Sequence, residues 1–281
     1  MSDSEDDQNG VPLLEDFPEP GTAEQPPSAK RKRDDEEKTE SKRAAKRKKF
    51  KKAATLDDET LDLELGLNHA IAYMDGRLVA DHIAQRTKRF RPDLSMLEAE
   101  ELHISAQAIT ETSTWEKRRT TTNLADFLEH FAGPRRKEKG HKLSDAAQEK
   151  GSPHTLVVAG AGLRAADLTR ALRKFQTKDS MVAKLFAKHI KLKEAIETVK
   201  KTRMGIGVGT PQRITDLLDD GALSSSHLER IVVDASHIDQ KKRGILDMRE
   251  TQAPLVQLLS RTEFKERYGA EDGKKIDLIF Y

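Results

Sequence analysis

The chain has 281 residues, 35% of them charged, and a mean hydropathy of −0.73, which is too polar for one globule using the whole length, so part of it is expected to stay extended. No stretch approaches the roughly 18 consecutive apolar residues of a membrane span, and the opening Met1-Ser-Asp-Ser-Glu-Asp-Asp7 lacks the basic and apolar regions of a signal peptide. The absence of cysteine excludes disulfides, thiolate metal sites and cysteine nucleophiles, and fits a reducing, intracellular home.

The net charge of +2 hides a segregated N-terminus. Residues 1–29 carry eight acidic side chains and no basic one, while residues 30–52 carry thirteen basic against five acidic. Like-charge blocks of this kind bury no core, so residues 1–55 read as a disordered, acidic-then-basic tail. Within it, Lys42, Arg43, Lys46, Arg47, Lys48, Lys49, Lys51 and Lys52 form a run without an acidic residue among positions 41–52. Such a run suits a nuclear or nucleolar address, a phosphate-binding arm, or both.

Residues 56–151 read as an extended helical arm and linker. Apolar spacing from Leu67 through Ile71, Met74, Leu78 and Ile83 predicts an amphipathic helix, interrupted at Gly76 and stopped by Pro92. A second short helix is expected from Asp93, as its cap, to about Thr112, and a third from Leu124 to Ala132 capped by Asn123. Residues 134–153 are basic and turn-rich, a linker. These helices share no evident core, which suggests an arm that packs on partners through separated apolar anchors, among them Phe90, Trp115, Phe127 and Phe131.

From Ser152 the texture changes. Strands are predicted at Thr155–Ala159, Met181–Phe186, Met204–Val208, Leu228–Val233 and Ile276–Phe280, with helices at about 163–175, 191–202, 211–219 and 253–261. Alternating strands and helices imply an α/β domain over residues 152–281 with a parallel sheet and right-handed crossovers.

The turn Gly160-Ala-Gly162-Leu-Arg-Ala165 superficially satisfies the dinucleotide fingerprint, but the nearest carboxylate, Asp179, falls before the next strand instead of after it. No Gly-x-x-x-x-Gly-Lys-Ser/Thr phosphate loop is present. The histidines form no metal-ligand spacing. The Gly-rich strand Gly205-Ile-Gly-Val-Gly209 leads to Thr210 as cap and Pro211 at the first helical turn, which would leave amides free for a phosphate, with Arg213 adding a charge-assisted contact. Trp115, beside Lys117-Arg118-Arg119, is suited to stacking on a base or packing on a partner.

The segment Gly207-Val-Gly-Thr-Pro-Gln-Arg213, followed by Ile231-Val-Val-Asp-Ala-Ser-His237, resembles the core of a DEAD-box RNA helicase domain: a strand ending in Thr-Pro-Gly-Arg, a helix, then a strand ending in Asp-Glu-Ala-Asp. Gln212 replaces the family's glycine, and Ala235 replaces the glutamate that orients the attacking water. Asp234 remains where a magnesium ligand would stand. The resemblance implies a single RecA-like, helicase-related domain without a phosphate loop.

Together with Gly66-Leu-Asn-His-Ala-Ile-Ala-Tyr-Met-Asp75, Lys88-Arg-Phe90, Asn123-Leu-Ala-Asp-Phe-Leu-Glu129 and Leu163-Arg-Ala-Ala-Asp-Leu-Thr-Arg170, these motifs resemble the Cms-type family of 90S pre-ribosome, or small-subunit processome, subunits across about residues 56–281. That resemblance implies a non-enzymatic, cofactor-free assembly factor in the nucleolus, bound to pre-ribosomal RNA and processome proteins. The candidate RNA- or partner-binding set is the basic run from Lys42 to Lys52 with Arg89, Phe90, Trp115, Thr210 and Arg213. The competing expectations are a nucleotide-binding or nucleotide-hydrolysing enzyme of the DEAD-box type, and an RNA chaperone acting through its basic tail.

Overall fold

The computed structural model describes residues 60–132, 142–187, 190–270 and 275–281. A small antiparallel hairpin, β1 (Leu61–Asp62) and β2 (Leu67–Asn68), turns at Gly66, whose φ of 64° suits a residue without Cβ. Asn68 then caps the short α1 (His69–Ala72) by accepting from the Ala70 N–H. The longer α2 (Gly76–Phe90) starts afresh, because the Asp75 carboxylate accepts from the Leu78 N–H at 2.7 Å. Gly76 therefore opens a helix instead of interrupting one. Helix α3 (Met96–Glu101) is capped by Ser95 and not by Asp93: Ser95 and Glu98 satisfy each other's backbone N–H groups in a capping box, which Asp93 has no partner to match. A 3-10 turn at Thr121–Asn123 leads into α4 (Leu124–Phe131), and the Asn123 amide donates to the Arg118 carbonyl instead of capping the helix.

The α/β expectation for the rest of the chain matches the structure. Strands β3 (Thr155–Val158), β4 (Met181–Leu185), β5 (Met204–Gly209), β6 (Arg230–Val233) and β7 (Asp277–Phe280) form one parallel sheet in the order β4-β5-β3-β6-β7. Helices α5 (Gly162–Ala171), α6 (Leu192–Lys201), α7 (Pro211–Asp219), α8 (Arg249–Leu259) and α9 (Thr262–Lys265) connect them. Central strands β3 and β6 are buried along their whole length, as continuous β-branched runs require. Among the described residues no helix is long and apolar enough to cross a membrane.

The expected boundary near residue 151 does not divide the fold: the described residues from Thr60 to Tyr281 fall in one compact unit. One face of the sheet, through Leu156, Val158 and Ile231, shares a core with Val79, Ala80 and Ile83 of α2 as well as with α6, α7 and α8. The other face, through Val157, Val182 and Val232, shares a core with Leu124, Phe127 and Leu128 of α4 and with α5. Two contacts pin the early helices. Gln252 on α8 donates to the Thr87 hydroxyl on α2 at 2.7 Å, and Ile109–Thr110 extends the sheet beyond β7, Thr110 N–H reaching the Leu278 carbonyl at 2.7 Å. The helices have a shared core after all, but it is the sheet, which the chain makes only later. Of the proposed anchors, Leu67, Ile71 and Phe127 are buried in this unit, while Leu78 is exposed.

Phe127 tests this arrangement. It is fully buried, with ring centroids 5.4 Å from Trp115 and 4.6 Å from Tyr281. Phe127→Ala should cost about 3–5 kcal/mol. Urea unfolding followed by the fluorescence of Trp115 measures it, and an unchanged midpoint would mean that α4 is not part of the core.

Candidate functional site

In an open parallel sheet the chemistry concentrates beyond the carboxyl ends of the strands. Here β3 and β6 end side by side, Val158 in register with Val233, and the Asp234 N–H donates to the Val158 carbonyl at 2.9 Å. The turn after β3 opens α5 at Gly162, which carries Arg164 in its first turn over Asp234. Arg164 holds the carboxylate with two parallel bonds, Nε to Oδ2 at 2.8 Å and Nη2 to Oδ1 at 2.9 Å, and its Nη1 reaches the Thr121 hydroxyl at 2.6 Å. Asp234 is only 3% exposed. Burial alone would lower the Arg164 pKa, but the hydrogen bonds and charge of Asp234 outweigh it and hold the guanidinium above its ordinary value.

A magnesium-nucleotide does not fit these residues. Both oxygens of the Asp234 carboxylate are taken by Arg164, so a cation there would have to displace the guanidinium. Beside it, Ala235 is buried and its N–H donates to the Tyr281 carbonyl at 2.8 Å; its methyl group has no means of orienting water. His237 follows, its Nδ1 3.2 Å from the Gly66 carbonyl. Burial first, and then the Arg164 charge, push its pKa below the usual imidazole value, which favours the neutral ring. Among the described residues no group of three or more His, Asp or Glu side chains is arranged for a metal ion.

Arg119 is a buried cation in the same region, 2% exposed, and the sequence did not single it out. Its Nη1 donates to the Phe280 carbonyl at 2.5 Å, and its Nη2 to the Ala72 carbonyl at 3.0 Å and the Thr112 hydroxyl at 2.9 Å. One side chain thereby ties the end of α1, the Thr112 segment and β7 together. Burial pushes its pKa down to about 10. The only advance signal was its place in Lys117-Arg118-Arg119, where nothing separates it from its exposed neighbours.

The predicted binding residues fall into distinct places. Arg213 is buried, and both terminal nitrogens of its guanidinium donate to the Ile190 carbonyl at 3.2 Å. It is structural here and does not present itself to a phosphate. Thr210 occupies the cap position with Pro211 at the first turn, but its side chain makes no cap bond. The glycines of β5 answer to packing: a Cβ on Gly205 would stand 2.2 Å from the Asp145 carbonyl, and one on Gly209 2.1 Å from the Leu185 carbonyl. Trp115 is half-buried on α4, edge-on to Phe127 at 87°, so it packs on its own chain. Arg89 is exposed near the end of α2, 6.0 Å from the centre of the half-buried Phe90 ring. Lys42, Arg43, Lys46, Arg47, Lys48, Lys49, Lys51 and Lys52 lie outside the described residues.

A family model described as "CMS1: U3-containing 90S pre-ribosomal complex subunit" matches residues 22–281. Protein CMS1 of Chaetomium thermophilum is 58% identical over 231 residues, covering 82% of this chain and 90% of that protein. Protein cms1 of Schizosaccharomyces pombe is 27% identical, covering 78% and 74%, and human Protein CMSS1 is 34% identical, covering 50% and 48%. Among solved structures, the yeast DEAD-box splicing factor Prp28 is similar at 18% identity and a TM-score of 0.34, with 46% of this chain and 27% of that one covered.

The Arg164–Asp234 pair has a measurable structural role. Arg164→Met leaves a buried carboxylate unpartnered and should cost about 3–5 kcal/mol, whereas the double change Arg164→Met with Asp234→Leu should recover most of that loss. Chemical denaturation of the wild type and these variants decides it; a single variant as stable as wild type would mean that the pair is not holding the strand ends.

Proposed function

We propose that this chain, which belongs to the CMS1 family of U3-containing 90S pre-ribosomal complex subunits, serves ribosome biogenesis as a non-enzymatic assembly factor of the nucleolar small-subunit processome. In this reading it contacts pre-ribosomal RNA and assembly proteins, and its helicase-like scaffold performs no nucleotide chemistry. The observation that carries it is the bidentate Arg164–Asp234 pair next to Ala235: a protein side chain occupies the carboxylate that metal-assisted hydrolysis would require. The absence of a phosphate loop from the sequence supports the same reading independently.

The RNA contacts are assigned to the basic run at residues 41–52 and to exposed Arg89, since Arg213 and Trp115 are engaged within the fold. Phosphate contacts by such a run supply affinity without sequence preference. Specific placement in the particle then falls to the surface of the folded unit.

Calorimetric titration with Mg-ATP should give no saturable heat, and Ala235→Glu should not restore hydrolysis, because Arg164 still holds Asp234 and the sequence carries no phosphate loop. Saturable binding would return the enzyme reading to the front.

Tagged full-length protein purified from growing cells should bring down early pre-ribosomal RNA together with processome proteins. Deleting residues 41–52 should weaken nucleolar accumulation and lower the salt slope of RNA binding by roughly 0.7–0.9 for each phosphate contact removed. Free protein in the purification would sink the assembly reading, and recovery of RNA without processome proteins would favour a basic-tail chaperone.

A further inference from the structure

The two edges of the sheet are treated differently. Beyond β7 the chain itself adds Ile109–Thr110, whereas among the described residues β4 is hydrogen-bonded on one side only, to β5. The Leu185 carbonyl accepts from the Thr210 N–H and so faces β5. By the alternation of a parallel ladder, Val182 and Lys184 then direct their backbone N–H and C=O groups outward. A groove of about 350 Å³ runs along this free edge. Its α6 side is mainly apolar, with Ile190, Ala195 and Val199 beside Thr198 and Thr202, and its opposite side carries Thr169, Arg173 and Gln176.

We propose that the β4 edge is a docking site for an extended strand of a partner protein, in which apolar residues alternate with acidic ones. The backbone of that strand would pair with Val182 and Lys184, since edge strands with open hydrogen-bonding groups are templates for strand addition. A strand sends successive side chains to opposite faces, so every second residue would enter the apolar wall and the others would meet the basic one. Arg173 and Lys184 line the groove and Lys178 lies in an adjoining hollow with Arg173; all three are exposed, and none takes part in an ion pair among the described residues, while the neighbouring Asp179 is paired with Arg203. Lys184 also keeps the edge from pairing indiscriminately, leaving it selective for acidic strands. A nucleic acid strand fits less well: among the described residues no Phe, Tyr, Trp or His lines the groove to offer bases a stacking surface.

The inference rests on the assembly-factor reading for its setting, but binding is tested on the purified full-length protein, so either can fail alone. The probes are a capped peptide of about ten residues alternating valine with glutamate, a block-sequence peptide of the same composition, and a single-stranded oligouridine. The alternating peptide should bind and slow amide exchange at Val182 and Lys184. Lys184→Pro removes the outward donor while leaving the β5 ladder intact, and should weaken binding about tenfold. Arg173→Glu with Lys178→Glu should weaken it at least as much and remains informative if Lys184→Pro does not fold. Absent binding, equal binding of the block peptide, or protection of these amides by oligouridine alone would each overturn the proposal. Co-purification of wild-type protein with pre-ribosomal RNA in the face of such a result would sink this site and leave the assembly reading standing.

Discussion

A parallel sheet has no face that can be left to water, and that constraint organises this molecule. The crossover helices after Ser152 cover one face well, with α6, α7 and α8, but leave α5 with only part of the other. The missing cover comes from the earlier chain. Phe127 and Leu128 of α4 close the open face, and α2 packs behind α8 through Thr87 and Gln252. Helices too short to stand alone are stable here because they complete a core, in keeping with the small intrinsic stability of isolated helices.

The joint between the two parts of the chain lies at the carboxyl ends of the strands, where the fold concentrates its buried polar groups. Arg119 is held by carbonyls from α1 and β7, Tyr281 donates to the Thr120 carbonyl at 2.6 Å, and Arg164 links Asp234 to Thr121. All but the Arg119–Ala72 bond join the segment at 112–121 to the sheet or to α5, which packs on it. The carboxyl ends of the strands are therefore occupied by side chains that hold the domain shut. A buried ion pair is weak evidence for stability, yet removing one partner is costly, which ties Arg164 and Asp234 together as firmly as a catalytic role would.

This changes what the surface has to do. With the strand ends closed, the proposed function assigns recognition of a particle to other features: the basic run of the sequence at residues 41–52, exposed Arg89 on α2, and the open side of β4. These surfaces differ in chemistry. Clustered lysines and arginines recognise phosphate regardless of sequence, whereas a strand edge flanked by one apolar and one basic wall discriminates by backbone geometry and side-chain alternation.

Residues close together in the sequence determined much of the fold. The apolar β-branched runs marked β3 to β7, and Pro211 placed the start of α7, because strand period and helix-terminus chemistry are local. Ala235 and the missing phosphate loop bore on the chemistry for the same reason: a side chain that is absent needs no partner to be read. Tertiary structure decided what depended on distant partners. Arg213 looked like a phosphate ligand until the Ile190 carbonyl took it, and Arg119 was indistinguishable from Arg118 until the Phe280 carbonyl, 161 positions away, received it. The Gly-rich β5 looked like a phosphate approach, but its glycines make room for the Asp145 and Leu185 carbonyls. The early helices showed apolar faces with nothing nearby to bury them, and only the folded sheet supplied the other half of that contact.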